Sequence, residues 1–155
     1  MAKEIERKFL VNLEKIEELG LGNDIVHGFV PTKDNTVVRA RITGERAYLT
    51  LKGESSGISR SEFEYEIPVE DAQQIMAELC ADSVIEKTRY EISHSGHTWE
   101  LDIFRGENAG LVVAEIELSR EDEQFDLPQW AAEEVTGQAR YFNASLVSQP
   151  FSKWQ

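Results

Sequence analysis

The stretch KEIERKFLV, at positions 3–11, alternates charged and apolar side chains near the start of the chain. Glu4, Glu6 and Lys8 share one face of this pattern, and the apolar Ile5 belongs to the other. Because successive side chains of a β-strand point to opposite faces of a sheet, the alternation predicts a strand with one charged face. The same two-residue period returns along most of the chain and decides the fold class.

Seven further segments show this alternation or, in one case, a short apolar run, so eight strands are predicted. The seven segments are residues 25–30, 36–43, 47–52, 60–66, 85–92, 99–103 and 114–118. Helices are fewer. Apolar residues at helical spacing predict a helix over Glu70–Cys80, Asn12 can cap a short helix, and Asn143–Val147 fits a last turn. The acidic turn after Ser119 leads into Pro128, where we expect a further helix to begin.

Length and composition indicate one globular domain that spans residues 1–155. The chain has 29 acidic and 16 basic residues and a formal net charge of −13, which disfavours nonspecific binding to nucleic acid or to an anionic membrane. Cys80 is the single cysteine, so neither an intramolecular disulfide nor a thiolate metal cluster can form. The sequence shows no secretory signal and no apolar run of ~18 residues, so we expect a cytoplasmic protein.

The charged faces of the predicted strands are sorted by sign. Four acidic pairs and two basic pairs stand two residues apart: Glu4 and Glu6, Glu62 and Glu64, Glu100 and Asp102, Glu115 and Glu117, Arg39 and Arg41, and Lys87 and Arg89. Such neighbours share a face at ~7 Å, where like charges repel. A closed barrel with these faces inward would explain the sorting, although the spacing alone also fits a sandwich with a solvated charged face.

The two kinds of charged pair suit two parts of one ligand. Paired carboxylates suit a hard divalent cation such as Mg²⁺, which also takes oxygen ligands from substrate phosphates. Arginine binds phosphate oxygens with two parallel hydrogen bonds, and lysine acts on them as a point charge. If the pairs face one lumen, they indicate a site for a metal-bound polyphosphate.

The motif Glu4-Ile5-Glu6-Arg7-Lys8 resembles the Glu-x-Glu-x-Lys signature that opens the CYTH superfamily, the triphosphate tunnel metalloenzymes. The remaining family motifs follow in order. They are Val38-Arg39-Ala40-Arg41, Thr50-Leu51-Lys52, Arg60-Ser61-Glu62-Phe63-Glu64, Glu86-Lys87-Thr88-Arg89-Tyr90, Glu100-Leu101-Asp102, Glu115-Ile116-Glu117, Glu134-Val135-Thr136-Gly137 and Arg140-Tyr141-Phe142-Asn143. The resemblance covers nearly the whole chain. It implies a mainly β (α+β) fold: an eight-stranded antiparallel closed barrel, the triphosphate tunnel, with a few flanking helices.

The compact bacterial members with this opening are most similar to inorganic tripolyphosphatases. The resemblance therefore implies metal-dependent hydrolysis of tripolyphosphate to pyrophosphate and phosphate, with one or two Mg²⁺ or Mn²⁺ ions. Three alternatives stay open: a class IV adenylyl cyclase that makes cyclic AMP from ATP, a thiamine triphosphatase, and a non-catalytic polyphosphate- or nucleotide-binding module. The expected partner is a small-molecule triphosphate, with neither nucleic acid nor membrane, and the chain is expected to be a monomer or a homodimer.

The resemblance also implies roles for individual residues. The metal ligands would be Glu4, Glu6, Asp102, Glu115 and Glu117, and the phosphate contacts Lys8, Arg39, Arg41, Lys52, Lys87 and Arg89. Glu62 and Glu64 would order these cations or serve a second metal. The less firm matches are Glu100, Arg60, Glu66 and Glu91, which share faces with the motif residues. The catalytic set would be Glu4, Glu6, Lys8, Arg39 and Glu117, in which a glutamate orients the attacking water or a lysine of lowered pKa acts as base.

Two further expectations concern residues outside these motif roles. His27, His94 and His97 show no metal-ligand spacing, and we expect surface or loop positions for them. Arg140 would either contact the substrate from the C-terminal segment or form a structural salt bridge.

Overall fold

The computed structural model describes residues 3–80 and 84–154. It contains nine strands and two α-helices, joined by short 3₁₀ turns. The strands are β1 (Lys3–Val11), β2 (Asn23–Val30), β3 (Val37–Thr43), β4 (Arg46–Lys52), β5 (Ser59–Ile67), β6 (Ile85–His94), β7 (His97–Phe104), β8 (Val112–Glu117) and β9 (Ala131–Glu134). The helices are α1 (Val69–Glu78) and α2 (Asn143–Ser148). No helix within the described ranges has the length and apolar character needed to cross a membrane.

Eight of the strands form a closed ring. Their order is β5-β4-β3-β2-β6-β7-β8-β1, and every pairing between them is antiparallel. The ring closes where β1 pairs with β5, with Glu4 opposite Arg60. Closure removes the exposed sheet edges and separates an inner from an outer face. The predicted eight-stranded antiparallel barrel is confirmed, and the sandwich alternative is excluded.

The ninth strand was not anticipated from the sequence. Pro128 was expected to begin a helix, but the chain instead runs into β9, which pairs with the end of β1. The segment Ala131–Glu134 lacks a two-residue apolar period and consists of residues that usually favour helices. The helix expectation was wrong because pairing with β1, together with burial of Trp130 against Trp99, outweighs this local preference.

The apolar faces of the strands mostly point outward and pack beneath the flanking segments. Phe9, Trp99 and Ile116 belong to one cluster on the outside of the barrel. Ala72 of α1 packs with Ala40 and Ala47 in another. Outward burial therefore leaves the charged strand faces for the interior.

One end of the barrel interior is apolar. Phe29, Ile85 and Phe104 lie at inward positions of their strands and pack with Tyr141 and Leu146 of the C-terminal segment. These contacts keep water from this end of the barrel, next to its charged middle.

The β6–β7 hairpin sets the register of two strands that carry charged residues. Ser95 and Gly96 at its tip both have positive φ, 49° and 82°, as a type I′ turn requires. The turn places Arg89 directly opposite Asp102. A local turn thus determines an ion pair deep inside the barrel.

Candidate active site

A cavity of about 290 Å³ occupies the middle of the barrel. Its volume lies at the small end of the ~300–1,000 Å³ typical of sites for small molecules. Seven acidic and seven basic side chains line it: Glu4, Glu6, Glu62, Glu64, Glu100, Glu115 and Glu117, with Lys8, Arg39, Arg41, Lys52, Arg60, Lys87 and Arg89. The lining charges balance, so the net charge of −13 belongs to the rest of the chain.

The barrel brings together twelve of the thirteen residues to which the resemblance gave metal, phosphate or supporting roles. Arg60 and Glu100, which matched the family motifs less firmly, line the cavity as well. Asp102 is the residue that does not line it, because it lies fully buried behind Lys87 and Arg89. Its role as a metal ligand stays a prediction.

Asp102 joins the side chains of two phosphate-contact candidates. Its carboxylate accepts from Arg89 Nε at 2.7 Å and Nη2 at 2.9 Å, and it lies 2.8 Å from Lys87 Nζ. Burial lowers the pKa of Lys87 to about 8, although the charge of Asp102 opposes that shift. Burial would raise the pKa of Asp102, but Lys87 and Arg89 outweigh it and lower that pKa. Asp102 therefore holds both cations in place.

Glu64 plays a similar part for the two arginines of β3. Its Oε2 accepts from Thr50 Oγ1 at 2.9 Å and from Arg41 Nη2 at 3.2 Å, and it lies 3.5 Å from Arg39 Nη2. Burial and the nearby Arg41 lower the pKa of Arg39 to about 10. Thr50, at the matching inward position of β4, also accepts from Arg39 at 3.1 Å. Without an anion in the cavity, these carboxylate and hydroxyl oxygens balance the arginines.

Glu4 lies where β1 meets β5, and it pairs with cations of two other strands. Lys52 Nζ donates to its Oε1 at 3.0 Å, and Arg60 Nε donates to its Oε2 at 3.3 Å. Lys52 also lies 3.4 Å from Glu62. Burial would raise the pKa of Glu4, but Lys52 outweighs it, so that pKa is lowered and the group is a carboxylate at neutral pH.

The acidic side of the cavity is formed by β1 and β8. Burial, and then the carboxylate of Glu115, raise the pKa of Glu6 well above its usual range. Burial would also raise the pKa of Glu115, but Lys8 and a hydrogen bond with Glu6 hold it well below its usual range. Glu6 and Glu115 thus form a closely spaced pair of carboxyl groups whose pKa values shift in opposite directions. Burial and the charges of other glutamates raise the pKa of Glu117, which stands opposite Glu6.

Carboxylates that gather this closely fit a divalent cation, because its charge offsets their mutual repulsion. The oxygen donors of Glu4, Glu6, Glu115 and Glu117 are of the type that Mg²⁺ and Mn²⁺ prefer. Within residues 3–80 and 84–154, no three histidine, cysteine or carboxylate side chains are yet grouped as ligands around one point. Metal binding would therefore turn some of these carboxylates from their present partners.

The C-terminal segment contributes two contacts that the motif comparison did not assign. Lys87 Nζ donates to Asn143 Oδ1 at 3.0 Å, and Lys8 Nζ donates to the Tyr141 carbonyl at 3.1 Å. Asn143 also lines the cavity. Asn143 ends the Arg140–Asn143 motif, and this position in the sequence could have predicted that it belongs to the site.

Arg140 itself contacts its own segment. Its guanidinium lies 4.6 Å from the centre of the Trp154 ring and donates to Tyr141 Oη at 3.2 Å. It does not line the cavity. Its contacts are thus structural, made with aromatic rings.

The expectation of a surface or loop position was wrong for His27. This residue lies within β2, is 1% exposed, and occupies an inward position opposite Arg41. Residues 25–30 are apolar at almost every position. The segment therefore lacks the alternation that would show which of its two faces points inward. His94 and His97 do lie at the β6–β7 hairpin, where His97 Nε2 contacts Glu123 Oε2 at 2.7 Å.

A closed barrel of eight antiparallel strands with paired acids and bases in its lumen defines a class of protein. The CYTH domain model matches residues 2–151, and the chain belongs to the CYTH family. An inorganic triphosphatase of Acetivibrio thermocellus is 46% identical over 155 residues, which are 100% of this chain and 99% of the relative. An inorganic triphosphatase of Nitrosomonas europaea is 37% identical over 148 residues, which are 93% of this chain and 96% of the relative.

Solved structures show the same fold. The crystal structure of an inorganic triphosphatase superposes with a TM-score of 0.68 at 34% identity, over 95% of each chain. Chains described as candidate adenylate cyclases also match, but at 16–19% identity they share the fold alone.

Proposed function

We propose that this chain is a divalent-metal-dependent triphosphatase that hydrolyses inorganic tripolyphosphate to pyrophosphate and phosphate. The observation that carries the proposal is the cavity inside the barrel, in which seven glutamates face seven lysines and arginines, six of them proposed phosphate contacts. Full-length similarity to inorganic triphosphatases supports the same reaction. Metal dependence is typical of the family, and we propose one or two Mg²⁺ or Mn²⁺ ions.

The six cations form what we term the phosphate clamp: Lys8, Arg39, Arg41, Lys52, Lys87 and Arg89. In the absence of substrate, carboxylates hold several of these groups, such as Glu64 on Arg41 and Glu4 on Lys52. When a polyphosphate enters the cavity, its oxygens replace those carboxylates as partners of the cations. Because the cations are already buried and positioned, little reorganisation is needed as charge develops in the reaction.

Glu4, Glu6, Glu115 and Glu117 would hold the metal, with Asp102 as a further candidate ligand. A bound Mg²⁺ or Mn²⁺ would neutralise phosphate charge and lower the pKa of a bound water. Glu6 would orient the attacking water as a carboxylate, the form that a nearby divalent cation favours. Glu4 and Glu117 are alternative orienting groups on the same side of the cavity.

Hydrolysis requires water to attack the terminal phosphorus opposite the leaving pyrophosphate. The arginines and lysines of the phosphate clamp stabilise the charge that builds on the leaving group. Burial of cations such as Lys87 and Arg39 in the barrel wall strengthens these electrostatic contacts.

The cavity favours a bare triphosphate over a nucleotide. At about 290 Å³ it is small, and charged residues form most of its lining. The aromatic side chains among the described lining residues are Phe29 and Phe142, and each lies beside cations of the phosphate clamp. The cyclase and thiamine triphosphatase alternatives therefore remain outcomes of the test.

The decisive experiment measures phosphate release from tripolyphosphate, ATP, thiamine triphosphate and pyrophosphate. Each substrate is assayed with Mg²⁺, with Mn²⁺ and with a chelator, and ATP reactions are also assayed for cyclic AMP. We expect tripolyphosphate with metal to give the highest kcat/KM. Cyclic AMP with pyrophosphate from ATP would contradict the proposal, as would metal-dependent binding of tripolyphosphate without turnover.

A further inference from the structure

His27 lies on the inner wall of the barrel and has no part in the motifs. Its strand, β2, places Gly28 against α1 on the outside, where an added Cβ would meet Cys80 Sγ at 2.8 Å. The neighbouring side chains of His27 and Phe29 therefore point inward, where their ring centres are 5.3 Å apart. The register sets His27 opposite Arg41 and Phe29 opposite Arg39.

Both ring nitrogens of His27 are buried without a hydrogen-bond partner among the described residues. The Nε atoms of Arg39 and Arg41, on the adjacent strand, are buried and unpartnered as well. Four unsatisfied polar atoms thus lie on two neighbouring strands beside the cavity. Since buried polar groups in native proteins nearly always have partners, such a group calls for a functional explanation.

The charges around His27 come from both strands that flank β2. Arg39 and Arg41 face it from β3, and Lys87 and Arg89 face it from β6. Burial, and then these four charges, hold the pKa of His27 well below its usual range. The ring is therefore neutral at physiological pH, with one nitrogen that donates and one that accepts.

An acceptor nitrogen next to a cationic N–H is a complementary pair. Residues directly opposite on antiparallel strands have Cβ atoms ~4.5–5.5 Å apart, so the imidazole lies beside the Arg41 side chain. Arg41 now uses Nη2 to reach Glu64 at 3.2 Å and leaves its Nε without a partner. A substrate that displaces Glu64 requires a new anchor for this guanidinium.

We infer that His27 is a positioning residue of the phosphate clamp: once a bound phosphate displaces Glu64 from Arg41, the His27 ring accepts the Nε–H of Arg41, directly or through one water. That bond turns the edge formed by the two Nη groups towards the bound phosphate. The inference rests on the proposed function, since it assigns a role within that same site.

The test measures tripolyphosphate binding by calorimetry in a chelating buffer, so that no hydrolysis competes, together with Tm. We expect His27→Leu to raise the Kd on the order of tenfold, the effect of one lost hydrogen bond to a charged group. Its Tm should equal or exceed that of the wild type, because unpaired buried nitrogens are removed. His27→Gln, which restores a neutral acceptor, should recover most of the affinity. His94→Leu, the same change at the β6–β7 hairpin, is the matched control.

A double-mutant cycle identifies the partner. His27→Leu should add no further loss of affinity in an Arg41→Ala background, and should keep its tenfold effect in a Lys52→Ala background. His27→Met replaces His27→Leu if the latter does not fold. The inference would be overturned if His27→Leu bound tripolyphosphate as tightly as the wild type, or if His27→Leu and His27→Gln lost equal affinity. It would also be overturned if the losses of affinity from His27→Leu and Arg41→Ala were additive. If wild-type protein neither binds nor hydrolyses tripolyphosphate, the proposed function itself fails.

Discussion

Lys87 and Asp102 meet at 2.8 Å inside the barrel, although their residues are only 2% and 0% exposed. They stand on adjacent strands at diagonal positions, since Arg89 is the residue directly opposite Asp102. Burying a charge without a partner is strongly unfavourable, so each of these two groups stabilises the other. Arg89 donates two further hydrogen bonds to the Asp102 carboxylate. Asp102 is thus the structural support of Lys87 and Arg89, two of the six side chains of the phosphate clamp.

Asp102→Ala should therefore destabilise the fold strongly. It leaves Lys87 and Arg89 buried without their main partner, which costs about 3–5 kcal/mol of unfolding free energy. Chemical denaturation measures the change. Asp24→Ala, which removes an exposed 2.8 Å pair with Arg105, should have a much smaller effect, because exposed ion pairs contribute little to stability. Equal effects of the two substitutions would contradict the structural role of Asp102.

Arg39→Ala should impair catalysis. The loss of a preorganised charge contact costs about 2–4 kcal/mol in the transition state, or roughly 10²–10³-fold in kcat/KM for tripolyphosphate. Arg46→Ala provides the control, because Arg46 pairs with Glu66 at the exposed end of β4. A phosphate-release assay in which Arg39→Ala retains full turnover would remove this residue from the phosphate clamp.

Glu123 should make the stability of the fold depend on acid pH. Hydrogen bonds from Ser119, and then from His97, lower the pKa of Glu123 from 4.5 to about 2. The folded state thus binds fewer protons than the unfolded state in this interval. The stabilisation is complete above pH 4.5 and is lost as the pH falls towards 2.

Thermal melting of Glu123→Gln across this interval provides the measurement. The variant should have a lower Tm than the wild type at neutral pH, and the difference should shrink as the pH falls from 4.5 to 2. Glu121→Gln, an exposed change in the same loop, should show no such trend. A Tm difference that is independent of pH would exclude the ionised contact as its cause.

Gly28→Ala should weaken the docking of α1 on the barrel. The new Cβ would lie 2.8 Å from Cys80 Sγ and 3.1 Å from Cys80 Cβ, just after α1, and 3.4 Å from Met76 Cγ within it. These residues must shift, at a cost of about 1–3 kcal/mol. Gly53→Ala, whose Cβ would meet Ser61 at an ordinary 3.7 Å, should change stability by about 0.5 kcal/mol or less. Denaturation of both variants compares the two sites, and similar values would show that β2 and α1 are not tightly packed at Gly28.

The strands and most of the lining residues could be predicted from local pattern. The alternation at positions 3–11 coincides with β1. Successive side chains of a strand point to opposite faces, so the residue type at each position indicates whether its face is charged or apolar. The same rule placed Arg39, Arg41 and Lys52 on charged faces, and all three line the cavity. The resemblance to family motifs then supplied the direction of those faces, which periodicity alone left open.

The sequence by itself determined which residues share a strand face, since that depends only on the two-residue repeat of the backbone. The tertiary structure decided what those faces meet. Closure between Glu4 and Arg60, 56 positions apart, turned the charges inward, and pairing with β1 made a strand of Ala131–Glu134. The fold buries Asp102 behind Lys87 and Arg89, with which it forms ion pairs. It also buries His27 opposite Arg41, unlike the two histidines at the β6–β7 hairpin. Burial and pairing arise from segments that are distant in the chain, so no local pattern carries them.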